Sequence, residues 1–176
     1  MHKLIVGSMV VVVMVASLGY KFIEKGEKIK WMSLKEVQEA NIQNKKPILI
    51  DLYTEWCGWC KQMDRKTYSD KNVVKYLQGK FYTVKLNAET RNTISWSGKT
   101  FEFNSSYKTN DFALYLTQGR LSYPTTVIIP ADGSAPQAIP GYLTPSEIEI
   151  ILKYFGEGKF GKQSFEDYQR TFKASW

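Results

Sequence analysis

The 176-residue sequence is poor in cysteine and histidine, and each shortage excludes a class of protein. Two cysteines are too few for a scaffold held together by disulfides, so the fold must depend on a hydrophobic core. The single histidine, His2, lies at the extreme N-terminus. A catalytic pair of cysteine and histidine is therefore excluded, and so is a metal site in the rest of the chain that needs histidine.

The sequence also lacks any run of five charges of one sign, although its formal net charge is +7. Its lysines are spread along the chain, and this pattern favours a solvated basic surface. An anionic partner, either nucleic acid or a membrane surface, is the alternative. We expect no nucleic-acid partner, and nothing in the sequence indicates an oligomeric state. The length suits one compact domain with a substantial core.

An uncharged apolar run covers residues 4–20 and follows a short basic start. Residues 1–20 are therefore typical of a signal peptide, cleaved near Gly19, or of an N-terminal membrane anchor. We expect an exported protein, soluble after cleavage or tethered to the membrane by residues 4–20. Residues 21–30 are interpreted as a polar linker, and residues 31–176 as the folded domain.

The remaining sequence predicts helices and strands in alternation, which is typical of an α/β domain. Two capping boxes mark helix starts, one at Ser33 and Glu36 and the other at Thr144 and Glu147. A helix is also expected from Cys57 onward. Short apolar or β-branched segments predict strands at residues 48–53, 81–86, 125–129 and 137–139.

Residues 88–122 interrupt this alternation and are interpreted as an insertion. Within it, Ile94 and Trp96 precede Ser97-Gly98, and Phe101 follows, which is typical of a β-hairpin. The insertion would either form a lip that selects substrates or merely decorate the fold.

The C-terminal residues have an aromatic pattern of their own. Phe165, Tyr168, Phe172 and Trp176 recur at helical spacing, which predicts an extra helix over about residues 164–176. Packing on the chain's own domain is favoured over docking to a partner, because amphipathic helices usually serve the core.

Cys57 and Cys60 are separated by two residues, where a predicted strand leads into a helix. This spacing lets the two sulfurs reach bonding distance, and a helix N-terminus stabilises the first thiolate. Cys57 is thus predicted to attack a disulfide and Cys60, one turn deeper and less exposed, to resolve the mixed disulfide. Half of a zinc site or a structural disulfide are the alternatives. Zinc would need ligands from carboxylates or from a second chain.

Four segments around this motif resemble the thioredoxin superfamily, over roughly residues 48–155. They are Asp51 to Cys57, Lys85 to Asn87, Tyr123-Pro124-Thr125 and Gly141. Residues 57–74 resemble its exported bacterial thiol–disulfide oxidoreductase branch, which implies a periplasmic protein that is soluble or tethered to the inner membrane. The resemblance implies a thioredoxin-like α/β fold, in which helices flank a central mixed sheet, with the inserted hairpin and the C-terminal helix as additions.

The same resemblance implies a redox site whose only working group is the Cys57–Cys60 disulfide, with no cofactor and no metal. Asp51, buried in a strand, would have a raised pKa and would take the proton of Cys60. Lys85 would tune Asp51. A surface carboxylate and a solvated lysine are the alternatives. The residues expected to contact substrate are Trp56, Gly58, Trp59, Tyr123 and Pro124, the last with a cis peptide bond.

The function implied is thiol–disulfide exchange on exported proteins, with the reductive direction preferred because Asp51 occupies the position of the thioredoxin acid. Electrons would come from a membrane thiol carrier, since the sequence has no nicotinamide or flavin motif. An oxidase or isomerase on the same fold is the nearest alternative, followed by a module that only binds clients or copper(I). Gly58-Trp59 replaces the family's Gly-Pro, so the redox potential is not carried over.

Overall fold

The computed structural model describes residues 28–176, and the predicted export segment and most of the predicted linker lie outside that range. Between Lys28 and the C-terminus, no helix is both long enough and apolar enough to cross a membrane. The linker prediction is wrong for residues 28–30. Ile29 is buried, and the carbonyl of Lys30 accepts a hydrogen bond from the Thr83 hydroxyl at 2.9 Å. These contacts make the segment part of the domain.

Six helices and eight strands are present in the described range. The helices are α1 (Leu34–Gln43), α2 (Gly58–Lys66), α3 (Lys71–Lys80), α4 (Asp111–Thr117), α5 (Pro145–Gly156) and α6 (Phe165–Thr171). The strands are β1 (Ile48–Tyr53), β2 (Tyr82–Asn87), β3 (Ile94–Trp96), β4 (Lys99–Phe101), β5 (Phe103–Asn104), β6 (Thr109–Asn110), β7 (Thr125–Ile129) and β8 (Gln137–Pro140).

The central sheet has four strands in the order β2-β1-β7-β8. Strand β1 pairs in parallel with β2 and antiparallel with β7, and β7 pairs antiparallel with β8. The predicted mixed sheet of a thioredoxin-like fold is therefore confirmed. In this register Asp51 stands opposite Lys85 on one side and Thr126 on the other.

Helices cover both faces of the sheet, which explains why β1 is almost continuously apolar. Ile50 and Leu52 pack in one cluster with side chains of α1 and α4. Leu49 packs in the other, against Met63 of α2 and side chains of α3 and α5. Because side chains alternate along a strand, Asp51 lies on the same face as Leu49. A carboxylate is therefore placed under α2, inside an apolar layer.

Both predicted capping boxes are present. The hydroxyl of Ser33 accepts from the backbone N–H of Glu36 at 3.2 Å, and the Glu36 carboxylate accepts from the Ser33 N–H at 2.8 Å. The same reciprocal pair joins Thr144 and Glu147 at the start of α5. Each box satisfies two donors that a helix N-terminus leaves open, so these two starts are locally encoded.

The insertion forms the expected hairpin from β3 and β4. Ser97 and Gly98 form its turn with φ values of 49° and 73°, the pair of left-handed conformations that a tight two-residue hairpin requires. Phe112 is completely buried and packs with Trp96 and Phe101, at ring-centroid distances of 5.7 and 5.1 Å. Trp96 and Phe112 belong to the same buried cluster as Ile50 and Leu52 of β1, so the insertion is part of the hydrophobic core and does more than decorate the fold.

The C-terminal helix is shorter than predicted, because α6 ends at Thr171 and the chain is extended at Phe172. The extended residues that follow α6 contact a buried carboxylate on α5. Glu149 is fully covered, and its Oε1 accepts from Lys153 Nζ at 2.6 Å and from the Ser175 N–H at 2.7 Å. Although burial opposes ionisation, these donors hold the Glu149 pKa below its usual range. A continued helix would withdraw Ser175 from this contact.

We predict that Phe112→Ala lowers the free energy of unfolding by about 3–5 kcal/mol, the usual cost of emptying an aromatic core position. Chemical denaturation of the oxidised protein measures it. Tyr107→Ala, at an exposed aromatic of the same insertion, is the matched control and should change stability by no more than about 0.5 kcal/mol. Equal effects of the two substitutions would show that the insertion does not share the core.

Candidate active site

The two cysteines are joined by a disulfide at the start of α2. Cys57 is the N-cap residue of that helix, and its Sγ accepts a hydrogen bond from the Cys60 N–H at 3.0 Å. The residues are 4% and 3% exposed, so the predicted difference in exposure is absent from this oxidised form. The bond itself explains this, since it holds both sulfurs together at one end of the helix.

Asp51 lies in the middle of β1 and is only 2% exposed. Its Oδ2 accepts from Lys85 Nζ at 2.7 Å, while Oδ1 has no hydrogen-bond partner among the described residues. Burial raises the pKa of Asp51 to about 6, against the opposing pull of Lys85 and with a small addition from Asp64. This carboxyl therefore titrates close to neutrality, with one oxygen still free.

Lys85 connects the buried carboxylate to a more exposed one. Its Nζ pairs with both Asp51 and Asp64, and it lies 4.9 Å from the ring centre of Tyr53 and 5.4 Å from that of Trp31. Burial alone would lower the pKa of Lys85, but the two carboxylates outweigh it and raise the pKa. Lys85 is thus an ion-paired side chain and not a freely solvated one, while its role in exchange stays a prediction.

Tyr68 and Thr126 lie close to Asp51 and help to keep water away from it. The Tyr68 hydroxyl and the Thr126 Oγ1 are 3.3 Å apart in a buried hydrogen bond. Burial, with a contribution from the Asp51 charge, raises the pKa of Tyr68 well above its usual value. Trp31 packs edge-on against Tyr68 with 5.3 Å between ring centroids. These aromatic neighbours leave the Asp51 carboxyl in an environment of low polarity.

An aromatic rim surrounds the disulfide, formed by Trp56, Trp59, Tyr123 and Tyr142. Trp56 and Trp59 are 67% and 65% exposed, although each touches a tyrosine. Trp56 lies 5.8 Å from Tyr123 and Trp59 lies 5.5 Å from Tyr142, measured between ring centroids. These contacts leave most of each indole uncovered. Broad apolar faces remain open to a partner beside Cys57.

Two further residues that were predicted to contact substrate, Pro124 and Gly58, are adjacent in sequence to residues of this rim. The Tyr123–Pro124 peptide bond is cis, and the Pro124 carbonyl accepts from the Gly141 N–H at 2.8 Å. A Cβ at Gly58 would meet no atom within 4 Å, so the space beside this glycine is open. Whether these residues bind substrate stays a prediction.

Sequence reasoning missed three residues of the site. Asp64 follows Cys60 by four positions, which places both on one helix face, so the spacing itself was a usable signal. Tyr142 meets Trp59 across the fold and has no local signature. Glu89 accepts a hydrogen bond from Trp56 Nε1 at 2.9 Å. Glu89 lies two residues after the end of β2. Nothing in the sequence indicates that it contacts Trp56, which lies 33 positions earlier.

Residues 34–156 match the family model of the thioredoxin-like domain. The chain belongs to the thioredoxin-like domain family. Thiol:disulfide interchange protein DsbD of Yersinia enterocolitica is 37% identical over 73 residues, which are 40% of this chain and 12% of that protein. DsbD of Escherichia coli K12 is 42% identical over 43 residues, or 24% of this chain and 8% of its own length. The matches thus span only a small part of each relative.

Solved structures show the same fold at low identity. The DsbH oxidoreductase superposes with a TM-score of 0.54 at 16% identity, covering 76% of this chain and 88% of its own. A thioredoxin-fold protein from Helicobacter pylori has a TM-score of 0.54 at 19% identity, with coverages of 72% and 80%. A thioredoxin from Thermus thermophilus has a TM-score of 0.50 at 14% identity, with coverages of 84% and 100%.

The chain thus combines a thioredoxin-like domain with a disulfide between the two cysteines of a CxxC motif. The disulfide is the group that carries electrons in thiol–disulfide exchange. No three His, Cys, Asp or Glu side chains of residues 28–176 are grouped so as to hold a metal ion. The expectation that the protein works without metal or cofactor stays a prediction.

We predict that Asp51→Asn removes a pH dependence of stability. When the pKa of a carboxyl is higher in the folded than in the unfolded protein, the group contributes stability that is fully present at a pH below the unfolded-state pKa. This contribution is lost as the pH rises through the folded-state pKa. For Asp51 this loss of stability takes place between about pH 4 and about pH 7. The difference between the ordinary pKa of 3.8 and the folded-state pKa of about 6 corresponds to roughly 3 kcal/mol. The variant should gain up to this amount relative to the wild type across the window.

Urea denaturation of the oxidised proteins at a series of pH values measures this difference. Asp132→Asn is the control, because Ser134 lowers the pKa of that exposed carboxyl and gives the opposite sign. A stability difference between wild type and Asp51→Asn that stays constant with pH would contradict the raised pKa.

Proposed function

We propose that the protein is a dithiol–disulfide reductase of exported proteins, with Cys57 as the attacking sulfur and Cys60 as the resolving one. The observation that carries this proposal is the buried Asp51, whose free Oδ1 lies on the sheet face that α2 covers. Such a carboxyl is suited to accept the Cys60 proton when the mixed disulfide is resolved.

The first step is attack on the client. In the reduced protein the Cys57 thiolate attacks one sulfur of a client disulfide, a Cys57–client bond forms, and the other client sulfur leaves as a thiolate. Two features support this choice of nucleophile. Cys57 is the N-cap of α2, at the positive end of the helix dipole, and the Cys60 N–H points at its sulfur. Both favour negative charge on Cys57.

The second step releases the client. Cys60 loses its proton and attacks the Cys57 sulfur, the second client thiolate leaves, and the Cys57–Cys60 disulfide forms. Two electrons thus pass from the dithiol to the client disulfide. The proton of Cys60 passes to Asp51, directly or through water, and then to solvent. With a pKa of about 6, Asp51 is ionised for much of the time near neutral pH and is ready to accept it.

Export and the source of electrons complete the proposal. The apolar run at residues 4–20 supports export. The matched DsbD relatives are named thiol:disulfide interchange proteins, which supports a client pool of proteins with disulfides. Each turnover leaves the protein oxidised, so a thiol carrier in the membrane would have to reduce it again.

We predict a reduction potential closer to that of thioredoxin, about −270 mV, than to that of protein disulfide isomerase, about −180 mV. A reductase can donate electrons only if its reduction potential is lower than that of the client disulfide. Equilibration with a glutathione redox buffer measures the potential, and the fluorescence of Trp56 and Trp59 reports the redox state. A value above about −180 mV would overturn the reductive direction and favour an oxidase or isomerase.

We also predict that Cys60→Ser accumulates mixed disulfides with client proteins, because Cys57 can still attack but nothing resolves the product. Cys57→Ser is the matched control and should trap few clients. Purification from whole cells under acid quench, followed by mass spectrometry, identifies the clients. Equal trapping by both variants would contradict the assignment of the two sulfurs, and a client set of cytoplasmic proteins would contradict export.

A further inference from the structure

A cavity of about 500 Å³ lies next to Glu89, the hydrogen-bond partner of Trp56 in the aromatic rim. Its lining residues are Glu89, Arg91, Phe103, Ser105 and Lys108. One wall is the chain that follows β2, and the other is the β5–β6 hairpin. Trp56 joins the cavity to the redox site, because it precedes Cys57 in sequence and its indole N–H donates to Glu89.

The two walls are tied together by buried polar side chains. The Thr109 hydroxyl donates to the Ala88 carbonyl at 2.7 Å, and the Asn110 N–H donates to the same carbonyl at 2.7 Å. The Asn110 side-chain amide also donates to the carbonyls of Thr90 and Asn92. These bonds join the two walls through residues adjacent in sequence to the lining residues, so the cavity is built into the fold.

The mouth of the cavity has more positive than negative side chains. Arg91 and Lys108 are exposed and form no ion pair with any residue between Lys28 and Trp176. Glu89 is the one carboxylate of the lining, and it already accepts the Trp56 indole N–H. Two cations therefore face one engaged carboxylate, and the mouth has an excess of positive charge.

The position of the Arg91 guanidinium is suited to recognition. It lies 4.4 Å from the ring centre of Phe103, and stacking on an aromatic face orients its plane. A planar guanidinium held in this way offers paired N–H donors that match a carboxylate. Lys108 has a φ of 52°, in the left-handed region, at the turn of the β5–β6 hairpin. Lys108 also lines the cavity, so a second cation lies on the opposite wall from Arg91.

We propose that this cavity is a client subsite that receives a carboxylate side chain located near the client cysteine. The inference rests on the proposed function for the existence of protein clients, and it adds their chemical class: polypeptides with aspartate or glutamate close to the reactive sulfur. The client backbone would cross the Trp56 face to bring its cysteine to Cys57. Its acidic side chain would enter between Arg91 and Lys108.

The test measures only the attack of Cys57, so it does not depend on the direction of electron flow. Cys60→Ser protein is mixed with otherwise uncharged peptides whose single cysteine carries a 2-pyridyl disulfide. The Cys57 thiolate attacks the peptide sulfur and releases neutral pyridinethione, which is followed by absorbance. Glu, Gln or Lys is placed in turn at each position on either side of the cysteine.

At one or more positions, the Glu peptide should react about three- to tenfold faster than the Gln peptide, and the Lys peptide slower than both. Arg91→Gln/Lys108→Gln, added to Cys60→Ser, should bring the Glu and Gln rates to near equality. Added salt should do the same, because the cations are exposed. Reaction with unsubstituted dipyridyl disulfide should be unchanged, which shows that the double variant folds and keeps its thiolate.

Lys71→Gln/Lys99→Gln is the matched control. It removes the same charge from exposed positions outside the cavity, and it should keep the preference for Glu. Three results would overturn the proposal: no preference for Glu at any position, a preference that survives Arg91→Gln/Lys108→Gln, or a preference that the control variant also loses. A high reduction potential would overturn the reductase assignment and leave this test unaffected.

Discussion

The ion pair between Asp51 and Lys85 is the constraint on which the arrangement of this site depends. A carboxylate in the centre of an apolar sheet is costly unless a cation lies within reach. The parallel register of β1 and β2 supplies it, because Asp51 and Lys85 stand opposite one another. Lys85 in turn reaches Asp64 on the helix that begins at Cys57. One lysine therefore links Asp51 in the sheet to Asp64 on the helix that the cysteines begin.

The organisation of the fold could be predicted because its signals are local. Capping boxes at Ser33 and Thr144 mark helix starts through bonds over three residues, and the Ser97-Gly98 turn needs only its own conformations. The two boundary errors have a different origin. Residues 28–30 and the chain after Thr171 are fixed by contacts with distant parts of the chain, such as Ser175 with Glu149. Composition and periodicity do not contain that information.

Within the site, too, some residues could be predicted from local sequence and others could not. Cys57 and Cys60 were evident from spacing, and Asp51 from its position in an apolar strand. The surroundings that decide how these groups behave come from tertiary contacts. Trp56 meets Glu89, and Trp59 meets Tyr142, only because separate loops converge beside α2. Similarly, the free Oδ1 of Asp51 is a property of the packed structure, since sequence shows the carboxyl but not which of its oxygens is paired.

The hydrogen bond between Trp56 and Glu89 has a mechanical consequence. It joins the residue that directly precedes Cys57 to the chain that follows β2. The disulfide lies at the start of α2, whereas the walls of the neighbouring cavity belong to the segment between β2 and α4. A displacement of Glu89 would therefore be transmitted through the Trp56 indole to the loop that carries Cys57. The cavity and the disulfide are mechanically coupled through this bond.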